Sequence, residues 1–302
     1  MKASELGLLL LGLGSIGLLV ARSFPSTSIA VSPSTLIAAS PSPKPTLQYQ
    51  VYLLPQAIVH TLTIPPSSQF SVVPAIASTT ATVEEFAQTH RAIAVLNAGF
   101  FDPQNQKTTS YITIASKRVA DPQQNERLME NPKLASYLDR ILNRSEFRRY
   151  QCGQTVRYDI TFHSQPLPAG CELRDAIGAG PQILPIDTSQ PEGFTEFAKG
   201  ERVRDALGST QPNARTAIGL KRDGNIVWVM AAQKPGNPAR SGFTFLELAA
   251  FLKTLDVEKA LNLDGGSSSS LYYQGTAHYG KLDSNARPVQ RSVKSVLLVP
   301  SP

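Results

Sequence analysis

Between Leu47 and Val299 the apolar positions fall mostly into short alternating or continuous runs, a pattern that suits pleated strands better than helices. Strands are predicted at LQYQVYLL, AIVHTLTI, QFSVV, AIAVLN, SYITI, VRYDITFH, TAIGLK, IVWVMAA, ALNLD and SVLLV, whose β-branched and aromatic content fits a half-buried sheet. RDGN, between TAIGLK and IVWVMAA, puts Asp223 and Gly224 where a tight antiparallel turn needs positive φ. Helix starts are marked at three places. Thr82 with Glu85, and Thr244 with Glu247, have capping-box spacing, in which a hydroxyl and a carboxylate each satisfy a free backbone amide. Asn131 before Pro132 is the third start, and Leu134, Tyr137, Leu138, Ile141 and Leu142 continue a helical stripe toward Tyr150. Residues 121–150 therefore read as a helical excursion between strands. The expected fold is α+β: a single strand-rich domain of mixed or antiparallel sheet with several flanking helices.

The front of the chain belongs to a different class. Lys2 precedes an uncharged apolar run from Leu6 to Val20, too short to cross a bilayer comfortably and suited to the centre of a secretory signal. Ser28 and Ala30 fit a cleavage site and Arg22 just past the run fits an anchor, so residues 1–22 read as signal peptide or signal anchor. Residues 23–46 are rich in Ser and Pro and read as a linker, leaving 47–302 as the folded domain. The expected location is extracytoplasmic: secreted, periplasmic or held at a membrane by the N-terminal apolar segment. In such a compartment Cys152 and Cys171 read as a disulfide, because one pair cannot build a zinc site alone. The net charge of +6 favours anionic partners, but the basic residues are scattered. The one cluster, Arg140, Arg144, Arg148 and Arg149, reads as a solvated helix face, and without stacking aromatics or a known module it does not support nucleic acid binding.

Candidate chemistry concentrates where strands run into glycine. In LNLDGGSSSS, Asp264 ends a strand, and Gly265, Gly266, Ser267 and Ser268 offer a turn of amides and hydroxyls suited to phosphate or sugar oxygens. In AVLNAGFFDP, Asn97 and Gly99 end a strand before Phe100, Phe101 and Asp102. In RDAIGAGPQIL, Asp175 precedes Gly178 and Gly180. In NARTAIG, Arg215 leads a strand from which a guanidinium can hold phosphate through two bonds. Each stretch has a plain structural reading: a capped Gly/Ser turn, core phenylalanines, a salt-bridged arginine. Serine acyl hydrolysis, with Ser268 as nucleophile and His278 as base, is a weaker option because the nucleophile elbow lacks its second glycine. No calcium-loop spacing is present, and neither a metal nor another cofactor is expected.

Taken in order, LNAGFFDP, AIGAGPQI, ARTAIG and GFTFLELAAFLKTLDVEKALNLDGGSSS resemble the phosphodiester glycosidase family over most of residues 90 to 299. The resemblance implies cleavage of the bond between a sugar's anomeric carbon and a phosphodiester oxygen, in an exported glycan or envelope polymer. It places family motif positions on Asn97, Gly99, Arg215, Asp264, Gly265 and Gly266. Ser267 stands where the family usually has a third glycine, and Leu255 and Asp256 replace a glycine before the ALNLD strand. On this reading Asp264 is the catalytic carboxylate, with Asp175 or Asp102 as a second one, and Arg215 with the Gly265–Ser268 amides holds the phosphate. The expected partner is a sugar phosphodiester or phosphorylated glycan. The alternative is a non-catalytic glycan-binding or structural envelope protein.

Overall fold

The computed structural model describes residues 45–66 and 69–301, so the apolar segment and linker read from the sequence lie outside the described residues. The chain begins with β1 (Gln48–Leu53), β2 (Ile58–Ile64), β3 (Val73–Ala81), α1 (Val83–His90), β4 (Ala92–Asn97), β5 (Ile112–Ile114) and β6 (Lys117–Ala120). Two short helices, α2 (Glu126–Met129) and α3 (Leu138–Leu142), precede β7 (Ser145–Cys152), β8 (Thr155–Phe162), β9 (Cys171–Gly178) and β10 (Gln182–Leu184). A small hairpin follows, β11 (Thr195–Ala198) with β12 (Glu201–Asp205), then β13 (Arg215–Lys221), β14 (Ile226–Ala232) and α4 (Phe245–Thr254). The last elements are β15 (Val257–Asn262), β16 (Ser270–Tyr273), β17 (Thr276–Tyr279) and β18 (Val293–Pro300).

Three larger sheets result, with strand orders β1-β2-β14-β13-β15-β10, β17-β16-β4-β18-β3 and β6-β5-β9-β7-β8. Their pairings are antiparallel, so the α+β expectation holds and the mixed option resolves to antiparallel. Alternation explains how the sheets stack. Trp228 and Met230 of β14 face a shared core with Leu96 of β4, Leu297 of β18, and Phe147 and Ile177 of the third sheet. Val227 and Val229 of β14 face the other way, against Leu248 and Leu252 of α4. Burial on both faces is why IVWVMAA is apolar throughout. On the second sheet Val95 and Val296 pack under Val83 and Phe86 of α1.

Both capping boxes form as their spacing predicts: Thr82 and Glu85 start α1, and Thr244 and Glu247 start α4. The RDGN turn joins β13 to β14, with Gly224 at φ 85°. The excursion differs from expectation. Helical structure from 122 to 142 comes in short pieces, and the continuation toward Tyr150 is strand β7. From Ser145 onward the chain is a strand: Phe147 enters the shared core, Arg148 takes the opposite face, and Arg149, farther along the Phe147 face, is partly exposed. The arginine cluster is accordingly not one solvated helix face. Arg148 is buried and donates to Glu146 at 2.7 Å, and to the carbonyls of Gln165 and Phe162 at 2.9 and 3.1 Å.

Cys152 and Cys171 are directly opposite on β7 and β9 and form a disulfide with Cα atoms 4.1 Å apart. Closing a loop of separation 19 removes unfolded-state freedom. Changing both cysteines to serine should therefore cost about 3 kcal/mol, read as a lower melting temperature that reductant no longer shifts. Among the described residues no helix is long and apolar enough to cross a membrane.

Candidate active site

The ends of β4 and β15 and the starts of β13 and β16 meet at Asn97. This side chain is fully buried, and its amide links three segments. Its Oδ1 accepts from Thr216 Oγ1 and from the Ser270 amide, both at 2.9 Å, and its Nδ2 donates to the Asp264 carbonyl at 2.6 Å. A ligand cannot reach it, so the substrate-binding role expected of Asn97 becomes a positioning one. The same junction clamps the acid's backbone. Asp264 N donates to Ala98 O and Leu263 N to Thr216 O, both at 2.8 Å.

Asp264 is partly exposed as a residue, but its carboxyl is ringed by protein, and this desolvation pushes its pKa up to about 6. The Ser268 hydroxyl, the Arg291 charge and the Gly265 amide oppose that shift without cancelling it. Arg291 donates from Nη1 to Ser267 Oγ at 2.8 Å and lies over the Phe101 ring, 5.4 Å from its centroid. It is partly exposed, and among the described residues no carboxylate lies within ion-pair distance of it. A desolvated acid and a guanidinium that has no direct ion pair among the described residues but acts on that acid through its charge thus flank one serine-rich turn, the perturbed pairing that marks candidate sites.

Several residues expected at the site have other duties. Arg215 is 3% exposed and directs its guanidinium into backbone carbonyls: Phe243 at 3.0 Å, Leu207 at 3.0 Å, Gly208 at 2.6 Å and Gln211 at 2.9 Å. It also stacks on Phe245, so it ties down the 207–211 loop and the start of α4, and its guanidinium is committed to the protein rather than to the phosphate expected of it. The amide cradle is largely occupied too. Gly266 N donates to Ala214 O at 2.8 Å and Ser268 N to Gly265 O at 3.1 Å, while Gly265 N serves the Asp264 carboxylate. What remains on the turn is mainly the Ser267 hydroxyl, which accepts from Arg291 and can still donate.

Asp175 is buried and bound to Arg149 Nη1 at 2.5 Å and to the Ala115 amide at 2.9 Å, contacts internal to the third sheet. Asp102 pairs with Arg127 at 2.7 Å. Neither shares a contact with Asp264 among the described residues, so the second-carboxylate role is not carried forward. Gly99 lies where β4 crosses β9, and a Cβ there would stand 3.0 Å from Ser295 Oγ and 3.1 Å from the Gly178 carbonyl. Gly180 has φ 121°, and a Cβ on it would stand 2.2 Å from the buried Glu192 carboxylate, so glycine is required by packing. His278 Nε2 is 3.0 Å from Tyr49 Oη and its ring stacks on His60, whereas the Ser268 hydroxyl serves Asp264. The pairing needed for serine acyl hydrolysis is therefore not assembled.

Arg291 escaped the sequence reading because RPVQRSVK carries no local signal that separates a site arginine from a solvated one. A cleft of about 760 Å³ lined by Phe70, Arg149, Arg157, Tyr158 and Lys221 contains none of the expected site residues. The candidate site is therefore the cluster of side chains that converges on Asp264.

Comparison with known proteins bears on the family and the fold. A match over 64 residues is 39% identical to N-acetylglucosamine-1-phosphodiester alpha-N-acetylglucosaminidase of Mus musculus, and one of the same length is 42% identical to that of Homo sapiens. Each spans 21% of this chain and 12% of the relative's length. The zebrafish enzyme of that name, solved as a catalytic domain auto-inhibited by its pro-peptide, superposes with TM-score 0.61 and 18% identity over 87% of this chain and 85% of that one. A hypothetical protein from Synechocystis superposes with TM-score 0.55 and 20% identity, over 84% of this chain and 61% of that one. At such identities the superpositions speak to the fold. The family model for phosphodiester glycosidase matches residues 90–299, from the end of α1 to the end of β18, and the chain belongs to that family.

Proposed function

We propose that this protein is an extracytoplasmic hydrolase that cleaves the bond between a sugar's anomeric carbon and a phosphodiester oxygen in a glycan or envelope polymer. One observation carries the reading: the desolvated Asp264 carboxyl and the Arg291 guanidinium, which has no direct ion pair among the described residues, meet around the Ser267–Ser268 hydroxyls. Family membership and the disulfide, which suits an oxidising compartment, support it.

A glycosidic bond to phosphate has a stable leaving group, so the site needs charge stabilisation more than a strong acid. As the C–O bond breaks, its electron pair leaves on the phosphate oxygen, where Arg291 offsets the growing negative charge. Ionised Asp264 faces the positive charge that develops on the anomeric carbon. Water adds its hydroxyl to that carbon, and its proton departs through Asp264. Products are the free sugar and a phosphomonoester.

Arg291→Ala tests the assignment. Its kcat/KM on a sugar-1-phosphodiester should fall by roughly 10² or more, with Arg291→Lys recovering part of the loss. The melting temperature should barely move, because Arg291 supports a single side-chain hydrogen bond. Unchanged kcat/KM in Arg291→Ala would remove the guanidinium from the mechanism. Wild-type protein that retains such diesters on a column but releases no sugar would be a glycan-binding protein instead.

A further inference from the structure

The serine turn has a second cation. Lys281 follows Gly280, whose amide donates to Ser269 O and whose carbonyl accepts from Gln233 N, both at 2.8 Å. The Lys281 carbonyl in turn accepts from Val289 N at 2.8 Å, so its backbone is held from both sides. Its Nζ lies 3.3 Å from Asn213 Oδ1. Asn213 is itself fixed by two backbone bonds with Phe243, at 3.2 and 2.8 Å. Its Nδ2 is 3.6 Å from where a Cβ on Gly266 would stand. Lys281 is partly buried, and among the described residues its ammonium has no carboxylate within ion-pair distance.

Arg291 therefore reaches the turn at Ser267, while Asn213 reaches it at Gly266 and carries the Lys281 ammonium on its Oδ1. One phosphodiester carries one negative charge, which Arg291 alone can match. A second partly desolvated cation at the same turn, held by a neutral carboxamide and with no carboxylate to pair with among the described residues, raises the local positive potential and is stabilised by a second anion. We infer that the site accepts a dianionic substrate, in which a further phosphate or carboxylate near the scissile phosphodiester binds Lys281 and Asn213. A phosphate-linked repeating polymer supplies such a group, as does an aglycone with an acidic substituent. The inference rests on the proposed function for the meaning of the first anion, but the subsite itself can be read by binding.

The test uses the full chain and two probes, propanediol monophosphate and propanediol bisphosphate, titrated by calorimetry at low and moderate salt. Wild-type protein should bind the bisphosphate about 10-fold more tightly, and the ratio should shrink as salt rises. Lys281→Gln should bring the ratio to within about 2-fold of unity, and Lys281→Arg should retain most of it. Equal affinities in the wild type, or a ratio that Lys281→Gln leaves intact, would overturn the subsite. Hydrolysis of a sugar-1-phosphodiester is scored separately. Selective bisphosphate binding without turnover would leave the subsite standing and remove the enzyme, and turnover without selectivity would do the reverse.

Discussion

Asp264→Asn should abolish hydrolysis while leaving the protein at least as stable as its parent at pH 8. The native pKa of about 6 lies above the ordinary value of 3.8, because burial disfavours the charged form. The folded chain therefore holds this proton more tightly than the unfolded one. The stabilisation that the proton brings is complete below about pH 4 and is lost as pH rises through about 6. Above that point the ionised carboxylate costs about 3 kcal/mol relative to the protonated state. Asparagine never carries the charge, so its relative benefit should be absent at pH 4 and emerge between pH 4 and 7. The gain will fall short of the full figure, because a carboxamide presents one accepting oxygen in place of two and no charge to strengthen the bonds from Ser268 and Gly265. Thermal melts at pH 4.5 and pH 8 check the stability, and kcat/KM should drop by roughly 10³ or more. In the parent, kcat/KM should climb with pH and level off above about 6. Activity within tenfold of the parent would remove Asp264 from the chemistry.

Arg215→Ala should give the opposite result, a protein that loses its fold before any question of turnover arises. The guanidinium is buried, and desolvation lowers its pKa to about 10 against the support of Asp205. It remains charged because Leu207, Gly208, Gln211 and Phe243 turn their carbonyls toward it. Truncation leaves those oxygens without partners and opens a void against Phe245, a combined cost of about 3–5 kcal/mol. Lysine should rescue little, since one ammonium cannot reproduce a planar fork that reaches carbonyls from separate chain segments. Denaturant titration measures the loss. A variant that melts with the parent yet loses phosphodiester affinity would return Arg215 to the ligand.

These outcomes show how far the residue order carried the reading. Strands with clear alternation, the two Thr/Glu capping boxes and the Asp223–Gly224 turn depend on neighbours in the chain and were legible. The 134–142 stripe was legible as helical, but it runs without a break into the alternation of 145–152, and only pairing with β8 and β9 decides where one period yields to the other. At the candidate site, Asp264 and its turn were legible as a strand that runs into Gly and Ser. It could not show whether a polar group at a strand end faces inward. Asn97 and Arg215 have the right chemistry for a ligand, yet their hydrogen bonds close on Thr216, Ser270 and four carbonyls inside the protein. Arg291 and Lys281 lie in stretches with no pattern, and only the packing of β16 to β18 around the turn brings them to it.

The backbone around the acid is held by Ala98, Ala214 and Thr216 carbonyls and by the Asn97 carboxamide. A pocket built this way arrives already shaped, so a fitting molecule meets little ordering penalty and a misfit finds no yielding wall. Selectivity in such a protein comes from refusal, and widening its range would require loosening that frame before altering the groups that touch the guest.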